Sequence, residues 1–305
     1  VSRRESVPEA SFASYYGRQI LKDVEWKSDI PAYFFLGGLS AGASLLGAGA
    51  DVTGRPSLRR TMRMSALGSL GIGTYFLIHD LGRPSRFVNM LRVFRPTSPM
   101  NMGSWLLAAY GPMAGLAAVG DVIPALRPVS RLAGFAAAAM APAIATYTAV
   151  LTSNTAVPAW HEAYPELPFV YAGSAASAAG GLGMALSKLD EAGPARRLAA
   201  GGMLTELAAS QMMERRLGLV GEPYRTGSAR LMLRLSGALT GSGALVGLTV
   251  GRRSRGAAVV GGIALVVGSA LSRFGIMDAG RQSVRDPRYV VIPQAERVDQ
   301  RENVP

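Results

Sequence analysis

From Leu132 to Ser187 the chain contains no lysine and no arginine, and its only acids there are Glu162 and Glu166. A domain folded in water needs charge along its whole surface. A soluble chain is typically about 25% charged, whereas this one is 17% charged over 305 residues. Its mean hydropathy is +0.22. Such a chain is built for a bilayer.

Eight apolar windows follow one another, most close to the ~20 residues that a membrane-spanning helix needs. They are Ile30–Ala50, Arg63–Ile78, Gly103–Val119, Leu132–Ser153, Pro168–Ser187, Ala195–Met213, Arg234–Gly251 and Gly256–Leu271. Several are rich in Gly, Ala and Ser, as in "GGLSAGASLLGAGA" and "AGSAASAAGGLGMA". In water that composition argues against helix. In lipid the helix is forced, because backbone groups must be satisfied within the segment. Small residues then let neighbouring helices approach closely. The expected fold is an all-α integral membrane protein, a bundle of about eight transmembrane helices.

The sixth window admits two readings. Glu206 lies in its middle, so it either spans or lies in the interface as an amphipathic helix. Three regions are expected: a polar segment at 1–29, the bundle at 30–272 and a polar tail at 273–305. The first segment reads as an ordered lead-in rather than a cleavable signal. With eight spans both termini share a side with the second, fourth and sixth connections. The opposite side carries four short connections bearing Arg55, Arg59 and Arg60; Arg127 and Arg131; Lys188, Arg196 and Arg197; and Arg252, Arg253 and Arg255. The positive-inside rule makes that side cytoplasmic and the termini external, in a multi-pass protein of the cell membrane. Arginines in the second connection and the tail weigh the other way.

The chain has no cysteine, so it holds no disulfide, iron–sulfur cluster or thiolate metal site. Its two histidines are His79 at a helix end and His161 in a loop. An intramembrane bis-histidine haem is therefore not expected, nor any other metal on this chain. The net charge of +12 sits in the connections between spans and calls for no nucleic acid. Electrons for any redox chemistry must arrive from another subunit.

Between the second and third windows runs "HDLGRPSRFVNMLRVFRPTSPMNMGSW", His79 to Trp105, with four arginines and three prolines. This is a stiff polar rim at the membrane surface. Together with "YFFLGGLSAG" and "YTAVLTSNTAVPAW" it resembles the NrfD / polysulfide reductase membrane-subunit family, in specific motifs from about Trp26 to Trp160. The tail segment "GRQSVRDPRY" extends the likeness. The resemblance implies a quinone-reactive membrane anchor. Such a subunit docks an iron–sulfur subunit with [4Fe–4S] clusters, which wires it to a catalytic subunit of molybdopterin or similar type. The diffusible substrate would be a quinone, menaquinone or ubiquinone, with protons taken up or released at the membrane.

The same resemblance points to Tyr147 as the donor to a quinone carbonyl, and a phenol suits that task. Tyr33 stands where the family can carry a histidine. Tyrosine, with an ordinary pKa of about 10, binds but does not cycle a proton near neutrality. His79 then becomes the candidate titrating group, next to Asp80. With an even number of spans, Tyr33, Tyr147 and the His79–Asp80 pair converge at one membrane face. The alternatives are interfacial anchors for the tyrosines and an Asp80 pair with Arg83 or Arg86 that fixes the turn. Glu206 is an acid at bilayer depth, which insertion scales penalise by about 2.5–3.5 kcal/mol, and so a candidate proton relay. Its alternative role is a hydrogen-bonded packing residue. Arg83, Arg86, Arg92 and Arg95 are candidate contacts for a docking partner or for lipid headgroups.

Two rival functions remain open at this level. One is a structural anchor that has lost quinone chemistry. The other is a secondary transporter, although the paired inverted repeats of such proteins are not evident.

Overall fold

The computed structural model describes residues 19–302, which contain helices, turns and no strand. The first eighteen residues of the expected lead-in lie outside the described residues. In chain order the helices are α1 (Asp29–Val52), α2 (Pro56–Asp80), α3 (Arg86–Met90), α4 (Pro99–Val119) and α5 (Arg127–Ser153). They continue with α6 (Pro158–His161), α7 (Leu167–Leu186), α8 (Gly193–Arg216), α9 (Gly227–Leu248), α10 (Arg255–Arg285) and α11 (Arg288–Glu302). Each of the eight apolar windows forms the body of one long helix. Proline stands in the first turn of α2, α4, α5, α7 and α8, where its missing N–H is no loss.

Six of these helices, α1, α4, α5, α7, α9 and α10, are long and apolar enough to cross a membrane. The other two, α2 and α8, carry more charge. In α2 that charge is paired at one end, by Arg59 and Arg63 with Asp51 and Asp121. Helix α8 stands against α7 along its length, with Gly173 facing Glu206 and Gly180 facing Ala199. A helix lying flat in the interface would not follow α7 from end to end, so this pairing favours the spanning reading.

Helices α1 and α7 form the centre and are buried over most of their length. Packing depends on bare backbone. A β-carbon on Gly42 would lie 2.7 Å from the Ala175 carbonyl oxygen, and one on Gly173 would lie 2.5 Å from the Glu206 nitrogen. On Gly243 it would lie 2.6 Å from the Gly261 oxygen. Lipid offers no hydrophobic drive for helix association, so this close van der Waals contact is the main attraction.

The connections sort onto two faces, as an even number of spans requires. On one face the Arg55 guanidinium donates to the Asp190 and Glu191 carbonyls, and Arg255 donates to the Ser187 carbonyl. On the other face Trp26 stacks on Trp160 at 5.6 Å, and Arg216 pairs with Glu166 at 2.6 Å. Arg297 of α11 also pairs with Glu162 there.

The tail boundary expected at residue 273 falls inside α10. That helix continues to Arg285, and Arg273, Ile276, Met277, Ala279, Gly280, Ser283 and Val284 are buried. The apolar run ends at Arg273, but the helix does not, because the guanidinium is itself packed within protein. Trp160 of α6 is fully buried and donates from Nε1 to the Ile276 carbonyl at 2.7 Å. Any side chain at Gly280 would collide with the Trp160 ring.

Candidate functional site

Tyr33 lies one turn into α1 and Tyr147 lies near the end of α5, and their hydroxyls hydrogen-bond to each other. They close one side of a cavity of about 70 Å³. Its walls are apolar, with Ile30, Phe34, Leu77 and Leu151, while Asp80 and Ser104 add polar groups. Met90 and Met100 stand at its mouth, and Met100 is half exposed. Ligand pockets usually hold roughly 300–1,000 Å³. A planar ring would fit only with the mouth opened, and methionine, unbranched and polarizable, adapts readily to such a change.

The rim over this cavity is held by residues of the "SPMNMGSW" segment. Ser98 caps α4 by accepting from the Asn101 amide at 3.4 Å. The Asn101 side chain donates to the Met90 and Val93 carbonyls at 3.0 and 2.7 Å, and accepts from the Arg95 amide at 2.6 Å. Trp105 donates from Nε1 to the same Val93 carbonyl at 3.2 Å. At Gly82, which follows α2, φ is +66°, the left-handed region that glycine enters without strain. Gly103 leaves room for the ring of Tyr147. Asn101 and Gly103 both lie within "SPMNMGSW", but the motif alone does not distinguish the residues that organise the loop.

Asp80 lines the cavity and forms no ion pair with Arg83 or Arg86. His79 is not part of the cavity wall. Its side chain is 64% exposed, and Nδ1 lies 2.6 Å from Oδ2 of Asp29. The ring stacks on Tyr75 at 5.9 Å. His79 thus ties the end of α2 to the start of α1 on the outer side. Asp29, its partner, carries no motif that would have marked it. Arg83, Arg86, Arg92 and Arg95 are all exposed around the rim, and among the described residues only Arg86 finds a side-chain bond, to the Leu81 carbonyl at 3.4 Å.

Glu206 sits apart from this group. It is 3% exposed, and neither carboxyl oxygen has a hydrogen-bond partner among the described residues. It lines a second cavity, of about 120 Å³, with Ser210, Gln211, Glu214, Ser236 and Ser272. Glu206, Ser210 and Glu214 are spaced i, i+4, i+8, which places them on one stripe of α8. The stripe runs toward the face that carries Tyr147, and Glu214 at its end is part-exposed. Beside it in α10 is Arg273, 1% exposed, whose Nη2 donates to the Tyr171 carbonyl at 2.7 Å. Its guanidinium lies 3.7 Å from the centre of the Tyr171 ring, and Nε and Nη1 are unpartnered. The bundle thus buries an acid, Glu206, and a base, Arg273, close to one another. The sequence hides this base, because a charge at that position reads as the edge of the tail.

Among the described residues, no cluster of three or more His, Cys, Asp or Glu is arranged to hold a metal ion. Compared with known protein families, residues 19–285 match the family described as Polysulphide reductase, NrfD. No curated protein matches the chain.

Proposed function

The chain belongs to the NrfD family of membrane subunits of oxidoreductase complexes, and from that premise we propose that it exchanges electrons between a quinone pool and an iron–sulfur partner. The observation that carries this reading is the meeting of Tyr33 and Tyr147 at the wall of an apolar cavity under the rim. Each phenol can donate to a carbonyl oxygen and accept from a hydroxyl. A quinone headgroup inserted between them would exchange the Tyr–Tyr bond for bonds to its own oxygens. Asp80, at the same wall, is an acid that can supply a proton.

Reduction of a quinone to the quinol consumes two electrons and two protons. The electrons come from an iron–sulfur subunit with [4Fe–4S] clusters, docked on the rim through Arg83, Arg86, Arg92 and Arg95, and wired to a molybdopterin-type catalytic subunit. Exposed arginines suit an acidic partner surface and steer its approach. The protons reach the site along the surface pair His79–Asp29, which adjoins Asp80. Glu206, with the Ser210–Glu214 stripe, serves as a second proton path. The quinone is menaquinone or ubiquinone, and the membrane is the cell membrane.

The test is Tyr147→Phe in the assembled complex. It removes one hydroxyl and little volume, so the complex assembles. A lost buried hydrogen bond costs about 1 kcal/mol or more in quinone binding. Quinone turnover falls while reaction of the catalytic partner with a soluble dye continues. Both activities preserved would place the quinone elsewhere.

A further inference from the structure

The face opposite the Tyr33–Tyr147 cavity carries a cleft of about 650 Å³ between the ends of α1, α2, α4 and α5. Its back wall is a closed ion network. Arg59 reaches Asp51 at 3.3 Å and Asp121 at 2.8 Å, and Arg63 reaches the same two carboxylates at 3.1 and 3.5 Å. Asp51 and Asp121 are thereby committed to holding two guanidiniums in place. Gly134 admits the Arg63 guanidinium, since a β-carbon there would lie 2.9 Å from Nη2. Arg63 is 6% exposed and its Nε has no partner.

The rim of the cleft is different. Arg127 is exposed and has no ion-pair partner among the described residues. Arg131 is 59% exposed and touches the network only through Nε, 3.5 Å from Asp51. An adjoining cavity adds Arg60 and Lys188, neither of them ion-paired among the described residues. Positive charge therefore exceeds negative at the mouth. Directly below, toward the bilayer, Leu132 is 72% exposed and Phe135 is 36% exposed. The cleft is cationic at the headgroup level and apolar where acyl chains run.

We propose that this cleft binds one anionic phospholipid, its phosphodiester between Arg127 and Arg131 and an acyl chain along Leu132 and Phe135. A guanidinium matches a phosphate oxygen pair by two parallel N–H bonds. Free phosphate would use the arginines but gain nothing from the apolar strip, which commits the site to a lipid. The positive-inside rule turns this face to the cytoplasm, where anionic lipids lie.

The test is native mass spectrometry of the detergent-extracted complex, delipidated and then titrated with phosphatidylglycerol. One lipid binds to the wild type more tightly than phosphatidylcholine does, and binding weakens as salt rises. Arg127→Gln with Arg131→Gln lowers the affinity by roughly fivefold per arginine, with assembly and quinone turnover unchanged. Leu132→Asn weakens phosphatidylglycerol, and inorganic phosphate at equal concentration does not displace it. Equal binding of the neutral lipid, full affinity in the double variant, or displacement by inorganic phosphate would each overturn the proposal. The salt dependence and the lipid comparison need only wild-type protein, so the proposal stays testable should a variant fail to assemble.

Discussion

Gly103 and Tyr147 meet face to face: a β-carbon on Gly103 would lie 2.5 Å from Cε2 of the tyrosine ring. The first turns of α4 therefore set the position of a hydroxyl carried by α5. Tyr147 has no freedom to tilt toward α4, and its hydroxyl is directed at Tyr33.

Gly103→Ala tests that coupling. The added methyl forces the ring aside, and overpacking of this kind costs roughly 1–3 kcal/mol. The complex still assembles, because the added methyl meets one side-chain ring of α5 and none of its backbone. Quinone turnover falls at least as far as in Tyr147→Phe, since the hydroxyl is misplaced rather than absent. Wild-type quinone kinetics in the variant would mean that the ring's position does not matter.

Asn101 organises the rim through three bonds to backbone groups. Asn101→Ala removes all three and leaves the loop polar groups to water. Each such bond contributes about 1 kcal/mol, so losing three lets the rim open more often by a factor on the order of 100. Limited trypsin digestion reads this as faster cleavage after Arg92, which is already exposed. Quinone affinity should fall with it. Unchanged cleavage would show that the prolines alone keep the rim rigid.

The meeting of Tyr33 with Tyr147 is legible in the sequence, because span parity assigns helix ends to faces before any packing is known. His79 shows the limit of that reasoning. Parity puts it on the correct face, but the direction of a side chain around its helix decides whether it lines the cavity or faces outward. His79 faces outward, to Asp29. Arg273 shows a second limit. A window scan treats a charge as the end of a span, and only a partner such as the Tyr171 carbonyl reveals that the charge is buried. The network of Asp51, Asp121, Arg59 and Arg63 joins the adjoining ends of α1 and α2 to the end of α4, far on in the sequence, so no local spacing announces the part that Asp121 plays.

Trp160 and Gly280 form a similar ring-on-backbone contact and anchor the second half of α10. Gly280→Ala drives a methyl into the indole and breaks its bond to the Ile276 carbonyl. The thermal midpoint of the detergent-solubilised protein falls, with a cost of roughly 1–3 kcal/mol. Adding Trp160→Leu to Gly280→Ala frees the space, so the double variant loses less than the two single losses summed. Simple additivity in this double-mutant cycle would mean that the two residues do not constrain one another.

Glu206 is the acid that the structure leaves with both oxygens unpartnered in a cavity between α8, α9 and α10. Its packing role and its proton role make different demands. Packing needs a side chain of that length and shape, and glutamine supplies it. Proton transfer needs a group that loses and regains a proton, and glutamine cannot. Glu206→Gln therefore leaves assembly, thermal stability and dye-coupled activity of the partner as they are. Quinone turnover slows, and its dependence on pH flattens in the range where the carboxyl titrates. Glu214→Gln, at the exposed end of the same stripe, has a weaker effect of the same kind, because water reaches that position directly. Glu206→Asp, which keeps the carboxyl one methylene shorter, restores part of the rate. Turnover and a pH profile equal to the wild type in Glu206→Gln would make Glu206 a packing residue and leave the cavity under Tyr147 to move protons alone.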